Sequence, residues 1–118
     1  MNREQILNAV GPGWSKLLTK LLDDLSATDF KSKVVQVKEK FGGLRFYYEP
    51  VAVGDKVFDL VHAAEDESYK ICEFCGEPGH VRSFTWIKTL CDKCDEAWAK
   101  KHERKPEYES VIRKFTKS

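Results

Sequence analysis

Four cysteines arranged as two equal pairs constrain the fold of this chain more than any other feature. The pairs are Cys72-x2-Cys75 and Cys91-x2-Cys94, with fifteen residues between them. Each pair can form a tight knuckle that directs two sulfurs at one ion, and two knuckles complete a tetrahedral site with ligand distances of about 2.3 Å. We therefore predict that Cys72, Cys75, Cys91 and Cys94 bind one Zn²⁺ per chain. An iron centre with the same ligands is the chemical alternative.

Four thiolates fill the coordination shell of such an ion. No position remains for a substrate or an activated water, so we expect the metal to be structural. Apparent binding free energies of about 10–16 kcal/mol are typical of structural zinc sites, whereas a domain is stable by only about 0.05–0.15 kcal/mol per residue. The fold is therefore expected to depend on the metal.

Cysteine usage and the N-terminus both indicate a reducing compartment. Disulfides are rare in a reducing cytosol, where four cysteines at metal-ligand spacing more often bind a metal. Residues 1–10 mix charges into a short apolar stretch and lack the continuous apolar centre of a secretory signal. No apolar run approaches the roughly 18 residues that a membrane span needs. We predict a cytoplasmic protein without a membrane partner.

Hydrophobic periodicity predicts an α+β fold with an amphipathic helix, a β-hairpin and a second helix. Two stripes of apolar residues at helical spacing begin at Trp14 and at Val57. Between them, over residues 33–49, apolar and polar residues alternate around Gly42-Gly43, which is the pattern of a hairpin. The pattern places Val35, Val37 and Phe41 on one side of the first strand and Leu44, Phe46 and Tyr48 on one side of the second.

The remainder of the chain has the order of a treble-clef-like zinc module. The first cysteine pair is followed by residues 81–90, which contain β-forming residues without a proline. Residues 92–100 then pass from acids to bases, which suits a helix that carries the last ligands. Pro106 begins a predicted C-terminal helix. We divide the chain into an α+β part at 1–71 and a zinc module with C-terminal helices at 72–118, packed as one compact unit.

Charge is balanced over the whole chain but unevenly distributed along it. The net charge of +1 gives no global field that would gather nucleic acid or an anionic membrane. Bases are concentrated at residues 31–48, and acids at 49–69. If the hairpin buries its apolar residues, period-2 geometry directs Lys38, Lys40, Arg45 and Tyr47 outward. We predict that this basic, aromatic face binds a partner; a face that only keeps the hairpin solvated is the alternative.

No constellation for catalysis accompanies the cysteines. His62, His80 and His102 lie in separate predicted elements. The sequence has no Gly-rich phosphate loop, nucleophile elbow or H-E-x-x-H motif. Some treble-clef nucleases carry a hairpin histidine where His80 stands, but the Asn or His set that would hold their second metal is missing here. We expect a non-enzymatic protein with no small-molecule substrate.

Two stretches resemble known proteins. The cysteine module, Cys72-Glu73-Phe74-Cys75-Gly76-Glu77-Pro78 through Cys91-Asp92-Lys93-Cys94, resembles the four-cysteine zinc finger of the DksA/TraR family of bacterial RNA polymerase regulators. That resemblance implies a metal role for the four cysteines. The family's long coiled coil has no counterpart, because a Gly-Gly hairpin stands in its place. The stretch KFGGLRFY, followed by a cysteine module, is similar to small uncharacterised bacterial and phage proteins, which implies an accessory protein that binds a host component.

These features predict a small zinc-stabilised binding protein that regulates or inhibits a host macromolecular complex. The near-neutral net charge favours a protein partner over nucleic acid. Two alternatives stay open. One is a nucleic-acid-binding transcription regulator of DksA/TraR-like type that uses the hairpin and the basic C-terminal residues. The other is a treble-clef metal-dependent nuclease.

Overall fold

The computed structural model describes residues 1–28, 30–49, 55–83 and 87–101. Within them the predicted α+β architecture is confirmed, with four α-helices and two antiparallel two-stranded sheets. The predicted helix from Pro106 lies outside the described residues. The elements are α1 (Arg3–Asn8), α2 (Ser15–Ser26), β1 (Val34–Lys40), β2 (Gly43–Tyr48), α3 (Asp55–Ser68), β3 (His80–Ser83), β4 (Ile87–Leu90) and α4 (Asp92–Lys101).

The apolar core lies between α2, α3 and the inner face of the β1–β2 hairpin. Both helical stripes predicted from the sequence contribute to it, and each fully buried large apolar side chain is worth about 1.5–3 kcal/mol. Among the residues that the structure describes, the whole cluster precedes the first cysteine, so this part of the chain has a core of its own. Its buried members are Ile6, Trp14, Leu18, Leu21, Leu25, Val34, Val37, Leu44, Phe46, Val57, Val61 and Ala64.

The hairpin turns at Phe41-Gly42, one residue earlier than the sequence predicts. Lys40 pairs with Gly43, and the two residues between them have positive φ angles of 54° and 81°. Positive φ at both central positions is what a type I′ turn requires. Phe41 is 61% exposed at this turn. The prediction that Phe41 shares one side of the first strand with Val35 and Val37 is therefore wrong, because the residue belongs to the turn and not to the strand.

A β-bulge changes which residues of β1 face the core. Val34 pairs with Tyr48 and Gln36 pairs with Tyr47, so Val35 is the extra residue on its strand. Val34 and Val37 are buried, while Val35 is 51% exposed. The prediction that Val35 faces the core is wrong, because strict alternation does not allow for an inserted residue. Beyond the bulge the predicted alternation is confirmed.

The second core helix ends before the first cysteine pair. The sequence predicts that it runs into Cys72, but α3 ends at Ser68. Ile71 instead forms an isolated antiparallel bridge with Pro78, and the Cys72 N–H donates to the Glu77 carbonyl at 2.8 Å. The first cysteine pair therefore lies in a closed loop that begins directly after α3. Of the helices described, none has the length and apolar character needed to cross a membrane.

Candidate metal centre and partner face

The structure brings the four predicted ligands together from two separate segments. Their Sγ atoms all lie within 4.8 Å of one another, and those of Cys75 and Cys91 are 3.5 Å apart. Ligand atoms of a tetrahedral site with bonds of about 2.3 Å are about 3.8 Å apart, so the cluster fits a single ion. The four cysteines could therefore hold a metal ion between them.

Two different backbone devices present the sulfurs. After the first pair, Gly76 has a φ of 81°, and its N–H donates to the Cys72 carbonyl at 3.1 Å, which closes the knuckle. Glycine adopts such a φ at little cost because it has no β-carbon. In the second pair, Cys91 directly follows β4 and Cys94 lies in the first turn of α4, where its N–H donates to the Cys91 Sγ at 3.4 Å. Along the chain, the first knuckle is followed by β3 and β4 and then by α4, which carries Cys94. This is the order that the sequence predicts.

The surroundings of the four sulfurs favour ionisation of one thiol, that of Cys72. Burial by itself raises the pKa of Cys72, but backbone N–H groups of Cys75, Cys91 and Phe74 outweigh it and lower the pKa from 9.0 to about 7. At Cys94, burial and the neighbouring sulfurs raise the pKa. One sulfur is thus prepared to ionise first, whereas a bound cation is needed to keep the whole set deprotonated.

The first knuckle rests against the segment that precedes α2. The Gly13 N–H donates to the Glu73 carbonyl at 2.8 Å, and the Trp14 Nε1–H donates to the Ile71 carbonyl at 2.9 Å. A β-carbon on Gly13 would lie 1.9 Å from the Cys72 carbonyl oxygen, so no larger residue fits without moving the backbone. The sequence shows Gly13 only as a helix breaker. Its contact with the knuckle forms between residues that are far apart in the sequence, so no pattern around Gly13 predicts it.

A buried carboxylate inside the first knuckle connects the cysteine module to the hairpin. Burial raises the pKa of Glu73, whose carboxylate accepts from the Thr89 N–H at 2.8 Å and lies 3.7 Å from the Lys88 ammonium. Lys88 also forms an ion pair with Glu39 of β1, and the Thr89 hydroxyl donates to the Gly42 carbonyl at 2.6 Å. The hairpin turn is therefore docked on β4. The sequence indicates this set only through a charged residue that lies between two cysteines.

Arg82 braces the second cysteine pair. This side chain is buried, and its Nε and Nη2 donate to the Leu90 carbonyl at 3.2 and 2.9 Å, while Nη2 also donates to the Asp92 carboxylate at 2.8 Å. That last hydrogen bond lowers the pKa of Asp92. His80 lies 3.9 Å from the same carboxylate. Because Leu90 and Asp92 flank Cys91, the guanidinium group holds the residues on both sides of a predicted ligand.

The four residues of the predicted partner face are placed together on the outer side of the hairpin. Lys38 faces Arg45 across the ladder, and its ammonium lies 5.7 Å from the centre of the Tyr47 ring. Lys40 and Tyr47 are exposed, and the other two are half-buried. Within the described residues, no ion pair includes Lys38, Lys40 or Arg45. Glu39, the acid of this stretch, is instead engaged by the cysteine module. We call Lys38, Lys40, Arg45 and Tyr47 the basic face.

Comparison of the chain with protein-family models, with curated proteins and with solved structures gives no match. The resemblances of the cysteine module and of the KFGGLRFY stretch therefore stay predictions. Since a fold alone does not define an activity, the function has to be argued from the metal centre and the basic face.

Proposed function

We propose that this chain is a small, zinc-stabilised, non-enzymatic binding protein whose basic face contacts an anionic surface of a protein partner. The donor set favours the metal assignment, because four thiolates arranged for one ion suit zinc. Bound zinc would supply a rigid link between the first knuckle and α4. The residues around it then hold β4 against the hairpin, so the metal supports the element that carries the basic face.

The cross-strand pair of Lys38 and Arg45 is the observation that carries the binding proposal. Like charges directly opposite one another on an antiparallel pair destabilise it. A face needed only for solubility gains nothing from this arrangement, since the same strands with an acid at either position would be equally polar and more stable. An anionic partner would neutralise both charges at once and would thereby remove the repulsion between Lys38 and Arg45.

The neighbourhood of the basic face favours a protein over nucleic acid. Tyr47 is 42% exposed within it, and Phe41 and Val35 are exposed on the same hairpin. Aromatic and arginine side chains beside apolar residues are typical of protein interfaces. The net charge of +1 does not provide the general attraction to phosphates on which nucleic-acid binding depends. If the hairpin's resemblance to bacterial and phage proteins holds, the partner is a component of a host complex that this chain regulates or inhibits.

Affinity capture with two matched triple variants tests this function. The first variant replaces Lys38, Lys40 and Arg45 of the basic face by Ser, and the second replaces the exposed Lys16, Lys56 and Lys93 on the helices by Ser. Both lose the same charge. From nuclease-treated host lysate, the wild type and the helix variant are expected to capture the same protein, and the basic-face variant to lose it.

The salt dependence of binding separates the two classes of partner. A protein partner held by an apolar centre should show a shallow decline of affinity with salt, whereas nucleic acid should show a steep one. A basic-face variant that folds normally and binds the captured protein with unchanged affinity at low salt would overturn the proposal. If the captured protein is lost when the lysate is treated with nuclease, the partner of the basic face is nucleic acid.

A further inference from the structure

The two edges of the hairpin are treated differently by the rest of the fold. Along the outer edge of β2, the Leu44 N–H donates to the Ser68 hydroxyl and the Phe46 N–H donates to the Glu65 carboxylate, each at 2.9 Å. Both acceptors belong to α3, which packs along β2. The helix therefore caps this edge with side-chain acceptors, and no further strand can pair there.

The same two hydrogen bonds fix the direction of the backbone groups in β1. In an antiparallel ladder, facing residues either exchange hydrogen bonds or both direct their backbone groups away from each other. Leu44 faces Glu39, and Phe46 faces Val37. Because Leu44 and Phe46 direct their N–H groups away from β1, Glu39 and Val37 direct theirs away from β2. The N–H and C=O groups of Val37 and Glu39 thus lie along the outer edge of β1.

Between two occupied ends, this outer edge pairs with no further strand in the described parts of the chain. At one end the Val34 carbonyl accepts from the Met1 ammonium at 2.9 Å, and at the other the Glu39 side chain is held by Lys88. No hydrogen bond among the described residues reaches the outward backbone groups of Val37 or Glu39. Of the elements described, β2 alone packs extensively against β1.

We propose that the outer edge of β1, over residues 35–39, binds an extended acidic segment of a partner protein, which adds a strand to the sheet. Backbone pairing of this kind supplies affinity, and alternate side chains supply specificity. The side chains of an added strand that point outward would lie beside Lys38 and next to Lys40, so acids are favoured at those positions. The exposed Val35 offers an apolar contact at the same edge. This inference rests on the proposed function and specifies the chemistry of its partner.

Charge also argues against a second copy of this chain as the occupant. Antiparallel pairing of two β1 strands in one sheet would place the outward lysines of both copies on the same face. Lys38 and Lys40 of one copy would then lie beside those of the other, and like charges across strands are destabilising. Lysines at an edge are a common device against such self-pairing. An acidic strand at this edge would instead be attracted by Lys38 and Lys40.

Amide hydrogen exchange with a synthetic probe tests the strand addition. The probe is a short peptide of alternating valine and glutamate, added to the zinc-loaded full chain. Exchange of the Val37 and Glu39 amides is expected to slow by roughly tenfold or more at saturating peptide, because a hydrogen-bonded strand edge is protected. The Leu44 and Phe46 amides, already bonded to α3, should not change. The same peptide with proline in place of valine lacks alternate donors and should give no protection.

A charge-reversal pair serves as the matched variant. Lys38→Glu with Lys40→Glu should lose protection by the acidic peptide and gain it from a peptide of alternating valine and lysine. Lys16→Glu with Lys56→Glu carries the same charge change on the helices and should behave as the wild type. Circular dichroism of both variants verifies that they fold.

Three outcomes would overturn the inference. The first is unchanged exchange of Val37 and Glu39, whether the acidic peptide shifts signals of the basic face or does not bind. The proposed function would then stand if the basic-face variant still loses its captured protein. Protection that rises with protein concentration in the absence of peptide would assign the edge to a second copy. Single-stranded DNA that binds the basic face more tightly than the peptide would point to nucleic acid.

Discussion

Gly13 shows at the scale of one residue how tightly the cysteine module is joined to the core. Its N–H donates into the first knuckle, and its missing side chain leaves room for the Cys72 carbonyl. Gly13→Ala should therefore lower the free energy of unfolding by about 1–3 kcal/mol, the usual cost of overpacking. It should also speed zinc transfer to a chelator, because Cys72 is displaced. Urea titration and a colorimetric chelator measure the two effects.

Lys16→Ala, an exposed change three residues away, is the control for that substitution. It should alter neither the unfolding free energy beyond about 0.5 kcal/mol nor the rate of zinc transfer. Equal behaviour of Gly13→Ala and the control in both measurements would show that the knuckle does not depend on this approach.

Phe41 occupies a backbone position that suits other residues better. Its φ of 54° is left-handed, which costs a residue with a β-carbon about 1–2 kcal/mol, and its side chain recovers little by burial because it is 61% exposed. Phe41→Asn creates the Asn-Gly pair favoured by type I′ turns and should stabilise the protein by up to about 1 kcal/mol. The urea midpoint should rise with an unchanged slope, whereas Tyr47→Asn, in the strand, should lower it. A lower midpoint for Phe41→Asn would contradict this reading of the turn.

Single residues differ in how far the sequence predicts their roles. The cysteine cluster was predictable, because the spacing within each pair is a local property of the chain. Glu73, Arg82 and Lys88 were not, since each acts through partners far along the sequence. A buried ion pair leaves no periodic pattern, and a lone charge in a polar stretch resembles any solvated residue.

At the scale of elements, β4 connects the cysteine cluster with the β1–β2 hairpin. Lys88 lies between the carboxylates of Glu39 and Glu73. Burial by itself lowers the pKa of Lys88, but the hydrogen bond with Glu39 and the charge of Glu73 outweigh it, and the pKa is raised. The ammonium group is thus charged throughout the neutral range and holds the strand against the turn.

Lys88→Met should reduce the free energy of unfolding by about 1–3 kcal/mol, between the values for exposed and for fully buried ion pairs. The loss arises because the buried Glu73 carboxylate is left beside Glu39 without a cation. Urea unfolding measures it, with Lys93→Met at an exposed position of α4 as the control. The double variant Glu39→Gln with Lys88→Met should lose less than the sum of the two single losses. Strictly additive losses would mean that Lys88 and Glu39 do not interact.

The elements themselves were largely predictable, and the register of the hairpin was not. The stripes of α2 and α3 and the alternation in β2 follow directly from burying one face of a regular structure. In β1 the bulge at Val35 moves two residues to the other face. A bulge arises from the fit between strands and neighbouring elements, so the pattern of one strand does not reveal it. The end of α3 at Ser68 was missed for a similar reason, because Ile71 continues the apolar stripe but belongs to a bridge.

At the scale of the whole molecule, the distribution of the core predicts how the chain responds to metal removal. Among the described residues, the apolar cluster lies entirely before Cys72, whereas residues 72–83 and 87–101 of the cysteine module contribute few buried apolar side chains of their own. Chelation should therefore abolish hydrogen-exchange protection in β3, β4 and α4 while the amides of α2 and α3 stay protected. Unfolding of the entire chain, or unchanged protection everywhere, would contradict the proposed division at residue 71.

Zinc content is the measurement that tests the zinc-stabilised fold most directly. Protein expressed in zinc-replete medium and purified without chelator should contain one Zn²⁺ per chain by elemental analysis, since all four ligands are present and mutually within reach. Cys91→Ser should lose the metal and melt at a lower temperature, whereas Lys93→Ser, two residues away, should keep both properties. A wild-type protein with far less than one zinc, or a Cys91→Ser variant with unchanged metal content and melting temperature, would contradict the assignment.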